Sequence, residues 1–300
     1  MTFETSLHQT LHKLGLGPSD QYLKTGLSQL VQLLMDLDLS RSIDAEHYER
    51  SEQRTTYRNG YRKRRWKTII GDVDLRIPKL RKGTYLPDFL DDCEGPLIDL
   101  LRYGYMQPSA TLHIVDDKLS QLALFDDMPL HEIAQIEEVL HDLVYTERNA
   151  PLKQSITSLW LDMIDLGLHN GRTQTLLVAI GDDRHGGHHP LDFEITTDSD
   201  DEHTWAALLK RLITRGVQQV QSVISGDQGG LRSLADEFFG AEWRYQRPYE
   251  LQDILYYVSE NNQMALTDAV SNLYIALPDH TITYHMLDQD ASMSLLASVA

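Results

Sequence analysis

Hydrophobic residues recur at helical spacing near the start of the chain and predict its first long helix. Residues 21–37 carry few charges, and their leucines fall on one side of a helix: Leu23, Leu27, Leu30, Leu33 and Leu34. We expect this helix to pack within a small helical unit. Residues 95–150 are also predicted to be helical, with apolar faces formed by Leu119, Leu122, Leu124, Ile133, Ile136, Val139, Leu140 and Leu143.

Between these helical stretches the hydrophobic pattern changes to alternation. Asn59-Gly60 is a turn signal, and residues 66–70 and 73–77 are β-prone segments on either side of Gly71-Asp72. The pattern predicts a β-hairpin that turns at Gly71-Asp72 and ends at Pro78. Apolar residues at alternate positions from 73 to 77 indicate a half-buried second strand.

From residue 158 onward, strands alternate with amphipathic helices. Strands are predicted at 158–168, 173–181, 190–196, 220–225 and 241–247, and helices at 201–216, 229–240 and 249–260. Three consecutive strands with short loops predict an antiparallel meander, and the later helical crossovers predict parallel pairing. The whole chain is therefore predicted to be α+β or α/β. The order β-β-β-α-β-α-β-α is that of the ribonuclease H-like fold.

Composition excludes several classes of protein. The 300 residues are 41% hydrophobic and 24% charged, which is typical of soluble globular domains. No apolar run is long enough to span a bilayer, and the first residues lack the layout of a signal peptide. A single cysteine, Cys93, excludes an internal disulfide and a cysteine zinc cluster, so we expect a cytoplasmic protein.

Charge is distributed very unevenly. Residues 54–82 hold eleven basic residues and two acidic ones, a net charge near +9 in a chain of net charge −18. Interleaved aromatic residues suit contact with a phosphate backbone, although a solvated basic face that balances the acidic remainder is the alternative. The candidate DNA-binding residues are Arg54, Arg58, Arg62, Lys63, Arg64, Arg65, Lys67, Arg81 and Lys82.

Residues 48–90 resemble the N-terminal motif of the Mutator-type bacterial insertion-sequence transposases. The residues that match are Tyr48, Glu49, Arg50, Arg58, Asn59, Gly60, Tyr61, Arg62, Thr68, Gly71, Leu75, Ile77, Pro78, Arg81, Gly83 and Pro87. The resemblance implies binding of element ends, Mg²⁺- or Mn²⁺-dependent DNA strand cleavage and transfer, and a ribonuclease H-like catalytic domain. It also implies terminal-repeat and target DNA as partners, a homo-oligomer, no membrane, and a nucleoid-associated location.

The same resemblance suggests four segments. They are an N-terminal DNA-contacting region (1–92), a helical region (93–155), the catalytic domain (156–262), and the start of a helical insertion that is truncated (263–300). In the family the second segment contains a helix-turn-helix-like unit. Here acidic residues crowd it and no clear recognition helix is present, so we interpret it as mainly packing or oligomerisation.

Asp162 occupies the place of the family's first catalytic aspartate, in a predicted central strand. An aspartate within an apolar strand is unfavourable unless it has a role, although it could simply face solvent. Asp165 is the local competitor, and it lies three residues on and therefore on the opposite strand face. Carboxylates of this kind would bind two Mg²⁺ ions.

Asp227 is the candidate second catalytic and metal-binding residue. The family pattern places its aspartate directly after a serine, but here Gly226 follows Ser225 and Asp227 comes one residue late. The neighbouring glycines could re-aim Asp227, or the site could be broken.

The pattern decays after Trp243. The family's cysteine and histidine are missing, and neither Glu237 nor Glu260 matches its last catalytic glutamate. The alternatives are thus an active transposase, an inactive DNA-binding or oligomerising remnant, and an unrelated nuclease of this fold. Three histidines, His185, His188 and His189, could suggest a metal site, but we interpret them as a surface loop between two strands.

Overall fold

The computed structural model describes residues 3–45, 49, 52–107, 128–169, 172–185, 187–197, 202–226 and 230–245. The chain forms two compact units, one of residues 18–148 and the other of residues 1–17 together with 149–300. We call them the hairpin unit and the sheet unit. The predicted boundaries at 92, 155 and 262 stay predictions.

The hairpin unit is built around the predicted first helix. This helix, α2, covers Asp20–Ile43 and begins where the Ser19 hydroxyl accepts the backbone N–H of Tyr22 at 3.1 Å. Four of the five predicted leucines are buried, and Leu33 is partly buried against the same core. A 3₁₀ helix, Asp88–Asp91, and two further helices, α3 (Glu94–Met106) and α4 (Leu130–Arg148), complete its described helices. Leu119, Leu122 and Leu124 lie outside the described residues.

Strands β1 (Arg58–Thr68) and β2 (Gly71–Leu80) form the predicted antiparallel hairpin. Its turn is Ile69-Ile70, so the prediction of a turn at Gly71-Asp72 is wrong. A turn there would place Lys67 opposite Arg76, whereas the observed register places Lys67 opposite Asp72 and Arg65 opposite Asp74. Opposite charges across the strands favour the observed register.

Two further details of the hairpin differ from the prediction. Asn59-Gly60 is not a turn, because it lies inside β1 at a shift of register between Arg58 and Tyr61. Gly60 has a φ of +78°, which glycine adopts easily, and the extra residue is absorbed as a bulge. Strand β2 continues through Pro78 to Leu80, since an edge of a two-stranded sheet tolerates a missing N–H.

The predicted alternation in β2 is confirmed. Val73, Leu75 and Ile77 are buried, whereas the residues between them are exposed. Trp66 of β1 lies opposite Val73 and is also buried, so one face of the hairpin packs into the core that contains α2. This packing holds the hairpin in place and leaves its other face open.

The sheet unit contains helix α1 (Phe3–Lys13), which the sequence pattern did not predict, and a five-stranded sheet. The described elements that follow α1 are β3 (Ile156–His169), β4 (Arg172–Asp183), β5 (His188–Thr196), α5 (Glu202–Thr214), β6 (Ser222–Ser225), α6 (Leu231–Phe239) and β7 (Glu242–Tyr245). The predicted helix at 249–260 and the segment 263–300 lie outside the described residues.

The strand order is β5-β4-β3-β6-β7. The first three strands pair antiparallel, while β6 pairs parallel to both β3 and β7. The predicted meander followed by parallel strands is therefore confirmed. Because β3 is central, its side chains lie among those of β4 and β6.

Helices α5 and α6 share one apolar core with the sheet, and this core includes Leu159 and Leu161 of β3 and Trp205 of α5. A buried ionic network also joins α5 to β5. Asp192 of β5 is 3% exposed, and its Oδ2 accepts a hydrogen bond from Arg211 Nε at 2.7 Å.

Arg215 strengthens this network. Its Nη1 lies 3.4 Å from Asp192 Oδ2 and donates a hydrogen bond to the Leu191 carbonyl at 2.6 Å. Burial acts to lower the pKa of the Arg211 guanidinium, but Asp192 and Glu194 outweigh burial and raise that pKa. The Arg211 guanidinium therefore stays charged, and both arginines lie against the carboxylate of Asp192.

Candidate functional site

The carboxylate of Asp162 lies at the middle of the sheet. Asp162 is opposite Val178 of β4, and only 7% of its surface is exposed. Because Leu159 and Leu161 face α5 and α6, strand alternation places Asp162 on the other face of the sheet. Its Oδ1 accepts the backbone N–H of Met163 at 2.8 Å.

Asp165 has a different environment. It lies opposite Thr175 near a shift of register in β3, and it is exposed. The two aspartates therefore differ in exposure, which agrees with their predicted places on opposite faces of the strand. Burial of a carboxylate is costly unless a hydrogen bond or a cation compensates it, so Asp162 is the better candidate for a cation-binding role.

The carboxyl end of strand β6 lies next to Asp162. Ser225, the last residue of β6, lies opposite Leu161 in the parallel pairing. The Ser225 hydroxyl donates to the Gly226 carbonyl at 2.8 Å and accepts the indole N–H of Trp243 at 3.0 Å. These two hydrogen bonds fix the strand end from which the segment containing Asp227 continues.

Sequence reasoning did not find this positioning role of Ser225 and Trp243. The available signal was a hydroxyl at the end of a short apolar strand, together with an indole that needs an acceptor when it is partly buried. Their contact could not be predicted because it joins residues on different strands.

Asp227 lies outside the described residues, so its position relative to Asp162 is not part of the described structure. Within the described ranges, no group of three or more His, Cys, Asp or Glu side chains could hold a metal ion. Of the two predicted metal-binding carboxylates, the described residues include that of Asp162, which is of the oxygen type that Mg²⁺ prefers.

The histidines after β4 are tied to aspartates of that strand. His188 Nδ1 lies 2.5 Å from Asp182 Oδ1, and His189 Nε2 lies 2.8 Å from Asp183 Oδ2. The hydrogen bond with His189 and backbone N–H donors from the loop lower the pKa of the Asp183 carboxyl. His188 and His189 belong to β5, so only His185 lies in the predicted loop.

The candidate DNA-binding residues differ in whether their side chains have partners within the hairpin unit. Arg58 and Arg62 are engaged within the hairpin unit. Arg58 Nη2 donates to Ser40 Oγ at 2.7 Å, and Arg62 Nη2 donates to the Tyr85 carbonyl at 3.2 Å. These two arginines hold the hairpin to its own unit.

Two other arginines have partners on the surface. Arg65 Nε lies 3.3 Å from Asp74 Oδ1, and the Arg54 guanidinium carbon lies 5.3 Å from the centre of the Tyr57 ring. The remaining candidates are exposed, and within the described part of the chain their side chains form no hydrogen bond or ion pair: Lys63, Arg64, Lys67, Arg81 and Lys82. The structure therefore reduces the nine candidates to a smaller set of available cations.

Comparison with known proteins shows the ancestry of the chain. Residues 1–287 match the family model described as "Transposase, Mutator family". The chain is 24% identical over 263 residues to the transposase for insertion sequence element IS256 in transposon Tn4001 of Staphylococcus aureus. It is 28% identical over 246 residues to the transposase for insertion sequence element IS1081 of Mycobacterium tuberculosis.

These alignments cover 85% and 79% of this chain, but 67% and 59% of the two relatives. The chain thus spans about two thirds of the first relative and less of the second. None of the described helices is both long enough and apolar enough to cross a membrane. The match along residues 1–287 leads to one conclusion: the chain belongs to the Mutator family of transposases.

Proposed function

We propose that this chain acts on DNA as a transposase of an insertion element, binding element ends and carrying out metal-dependent strand cleavage and transfer. The observation that carries the proposal is the buried carboxylate of Asp162 on the central strand, next to the end of β6. The relatives reported above are transposases for insertion sequence elements, and this supports the same role.

We propose further that the sheet unit has the ribonuclease H-like fold. An antiparallel meander whose first strand is central and pairs parallel with a fourth strand supports this assignment. In this arrangement the catalytic carboxylates come from the first strand and from the end of the fourth, where Asp162 and Asp227 are found in the sequence.

Asp162 and Asp227 would hold Mg²⁺ or Mn²⁺, ions that supply activation of an attacking oxygen and stabilisation of a leaving oxygen. The residues of the chain would position the carboxylates and limit the access of water to them. Asp162 presents its carboxylate from a strand braced on both sides, and the Ser225–Trp243 hydrogen bond holds the neighbouring strand end. Because Asp162 is buried, water has little access to its carboxylate.

The second candidate function is that of a catalytically inactive remnant that binds DNA or oligomerises. The one-residue displacement of Asp227 relative to the family pattern favours this alternative. An active homo-oligomer on terminal-repeat and target DNA, associated with the nucleoid, remains our first proposal.

The test is a nicking assay on duplex DNA that carries the terminal repeats of the element. We expect nicking in Mg²⁺ or Mn²⁺, loss of nicking in Asp162→Asn, and retention of nicking in Asp165→Asn. Asp165 is a matched control because it lies on the same strand but is exposed. Binding without nicking by the unaltered protein would favour the remnant, and nicking that ignores the terminal repeats would favour an unrelated nuclease.

A second readout does not depend on activity. A cation that binds the folded state raises its stability, by about 2.7 kcal/mol when the free ion is at 100 times its Kd. We expect Mn²⁺ to raise the melting temperature of the unaltered protein and of Asp165→Asn, but not that of Asp162→Asn. Equal shifts in all three proteins would contradict metal binding at Asp162.

A further inference from the structure

We propose that one end of the hairpin, and not the whole basic stretch, binds the phosphate backbone of duplex DNA. We call this surface the open end, and it consists of Tyr57, Tyr61, Lys63, Arg76, Arg81 and Lys82. It lies away from the Ile69-Ile70 turn, and residues 65–74 around that turn are called the turn end. This inference rests on the proposed DNA-binding function and states which surface carries it.

Charge at the turn end is largely neutralised within the hairpin. Arg65 Nε lies 3.3 Å from Asp74 Oδ1 and 4.0 Å from Asp72 Oδ2. Lys67 lies directly opposite Asp72 in the register, and the Ile69 N–H donates to the Glu94 carboxylate. A phosphate approaching this end would meet three carboxylates, so the turn end is a poor anion site.

Charge at the open end is not neutralised in this way. Lys63 lies directly opposite Arg76, and like charges at opposed strand positions are destabilising. Within the described part of the chain, no carboxylate forms an ion pair with Lys63 or Arg76, nor with Arg81 or Lys82. A phosphate between Lys63 and Arg76 would convert their repulsion into two favourable contacts.

Two tyrosines orient arginines at the same end. The Arg76 guanidinium carbon lies 4.6 Å from the centre of the Tyr61 ring, and Arg54 makes the corresponding contact with Tyr57. Tyr57 is 57% exposed and Tyr61 is 36% exposed, so both rings are accessible from solvent. Stacking restricts each guanidinium while its N–H groups can still donate at the edge, so less side-chain entropy is lost on binding a phosphate.

The open face of the hairpin favours duplex DNA as the partner. The opposite face is buried on the core of its unit, so the hairpin offers one exposed surface of Lys, Arg and Tyr. These residue types commonly contact DNA phosphates, and such contacts do not depend on base sequence. We therefore expect the open end to contribute affinity, rather than recognition of the terminal repeat.

The experiment compares two exposed lysines on one face of β1. Lys63→Ala removes a cation from the open end, and Lys67→Ala is its matched control at the turn end, four residues away. Binding is measured by fluorescence anisotropy over a series of NaCl concentrations. The probes are a terminal-repeat duplex and a scrambled duplex of equal length.

We expect Lys63→Ala to weaken binding to both duplexes by about 8-fold at 0.1 M salt and to reduce the salt slope by about 0.9, the value for one lost phosphate contact. Lys67→Ala should change affinity less than 2-fold. Equal losses in the two variants would overturn the inference, as would an unchanged affinity in Lys63→Ala. If either result is found while the unaltered protein still binds DNA, the inference about the open end fails and the proposed function stands. If the unaltered protein binds neither duplex, the inference and the proposed function both fail.

Discussion

Removal of the Asp192 carboxylate should destabilise the sheet unit more than removal of any exposed charge. Asp192 is buried and accepts hydrogen bonds from Arg211 and from the backbone N–H of Phe193. Arg211 and Arg215 are themselves 18% and 12% exposed at their side chains. Asp192→Ala would leave both guanidinium groups in a poorly solvated place without their shared counter-charge.

Loss of one partner from a buried ion pair typically costs about 3–5 kcal/mol, because the remaining charge is uncompensated. Arg211 keeps its contact with Glu194 Oε2 at 3.0 Å, and Arg215 keeps its bond to the Leu191 carbonyl. These surviving contacts place the expected cost near the lower end of that range, about 3 kcal/mol. Glu194→Ala is the matched control, because Glu194 is more exposed and Arg211 retains Asp192 in that variant.

Urea unfolding with two probes separates the two units. Fluorescence from the tryptophans of the sheet unit, Trp160, Trp205 and Trp243, follows that unit, once Trp66 of the hairpin unit is replaced by phenylalanine. Thiol labelling of Cys93 follows the hairpin unit. We expect Asp192→Ala to lower the free energy of unfolding in the first signal by about 3 kcal/mol and to leave the second unchanged.

Two results would refute this reasoning. One is a loss below about 1 kcal/mol in Asp192→Ala, which would be typical of an exposed ion pair. The other is an equal loss in Asp192→Ala and Glu194→Ala, since that would mean that burial of Asp192 adds nothing. A simultaneous loss of protection at Cys93 would show that the effect is not confined to the sheet unit.

Two further predictions concern single side chains. Ser225→Ala should lower the free energy of unfolding of the sheet unit by about 1–3 kcal/mol, because the Trp243 N–H loses its acceptor, and an unchanged urea midpoint would contradict this. Burial raises the pKa of Cys93 to about 12, so the thiol stays protonated in the folded protein at neutral pH. The ordinary pKa of a thiol is 9.0, so the stability that the buried thiol contributes is complete below pH 9.0 and is lost as the pH rises from there through the folded pKa. Labelling of Cys93 at pH 8 should therefore be limited by unfolding, and labelling as fast in buffer as in urea would refute the burial argument.

Features that depend on local periodicity could be predicted from the sequence. The period of two in a strand places Asp162 and Asp165 on opposite faces, and it identifies Val73, Leu75 and Ile77 as the core face of β2. Short loops and helical crossovers predicted antiparallel and then parallel pairing. In each case neighbouring residues contain the necessary information.

Features that depend on distant partners could not be predicted. The turn signal of Gly71-Asp72 was overridden by a register that pairs Arg65 with Asp74 across the hairpin. Arg58 looked like a DNA-binding cation, but its guanidinium binds Ser40, which is 18 residues away. The sequence shows that a charged side chain is present. Whether that side chain has a hydrogen-bond or ion-pair partner depends on the fold.

The membership of helix α1 in the sheet unit has a consequence for how the chain folds and can be divided. Leu7 and Leu11 are each 1% exposed, and Pro190 lies within van der Waals reach of a side chain placed at Gly15. Residues 1–17 are made before residues 18–148 but belong to the unit formed by residues 149–300, so they find their core only after residues 18–148 have been made. A fragment that starts at residue 149 would lack these leucines, so a loss of nicking in such a fragment would not by itself separate a damaged core from the loss of the proposed DNA-binding surface.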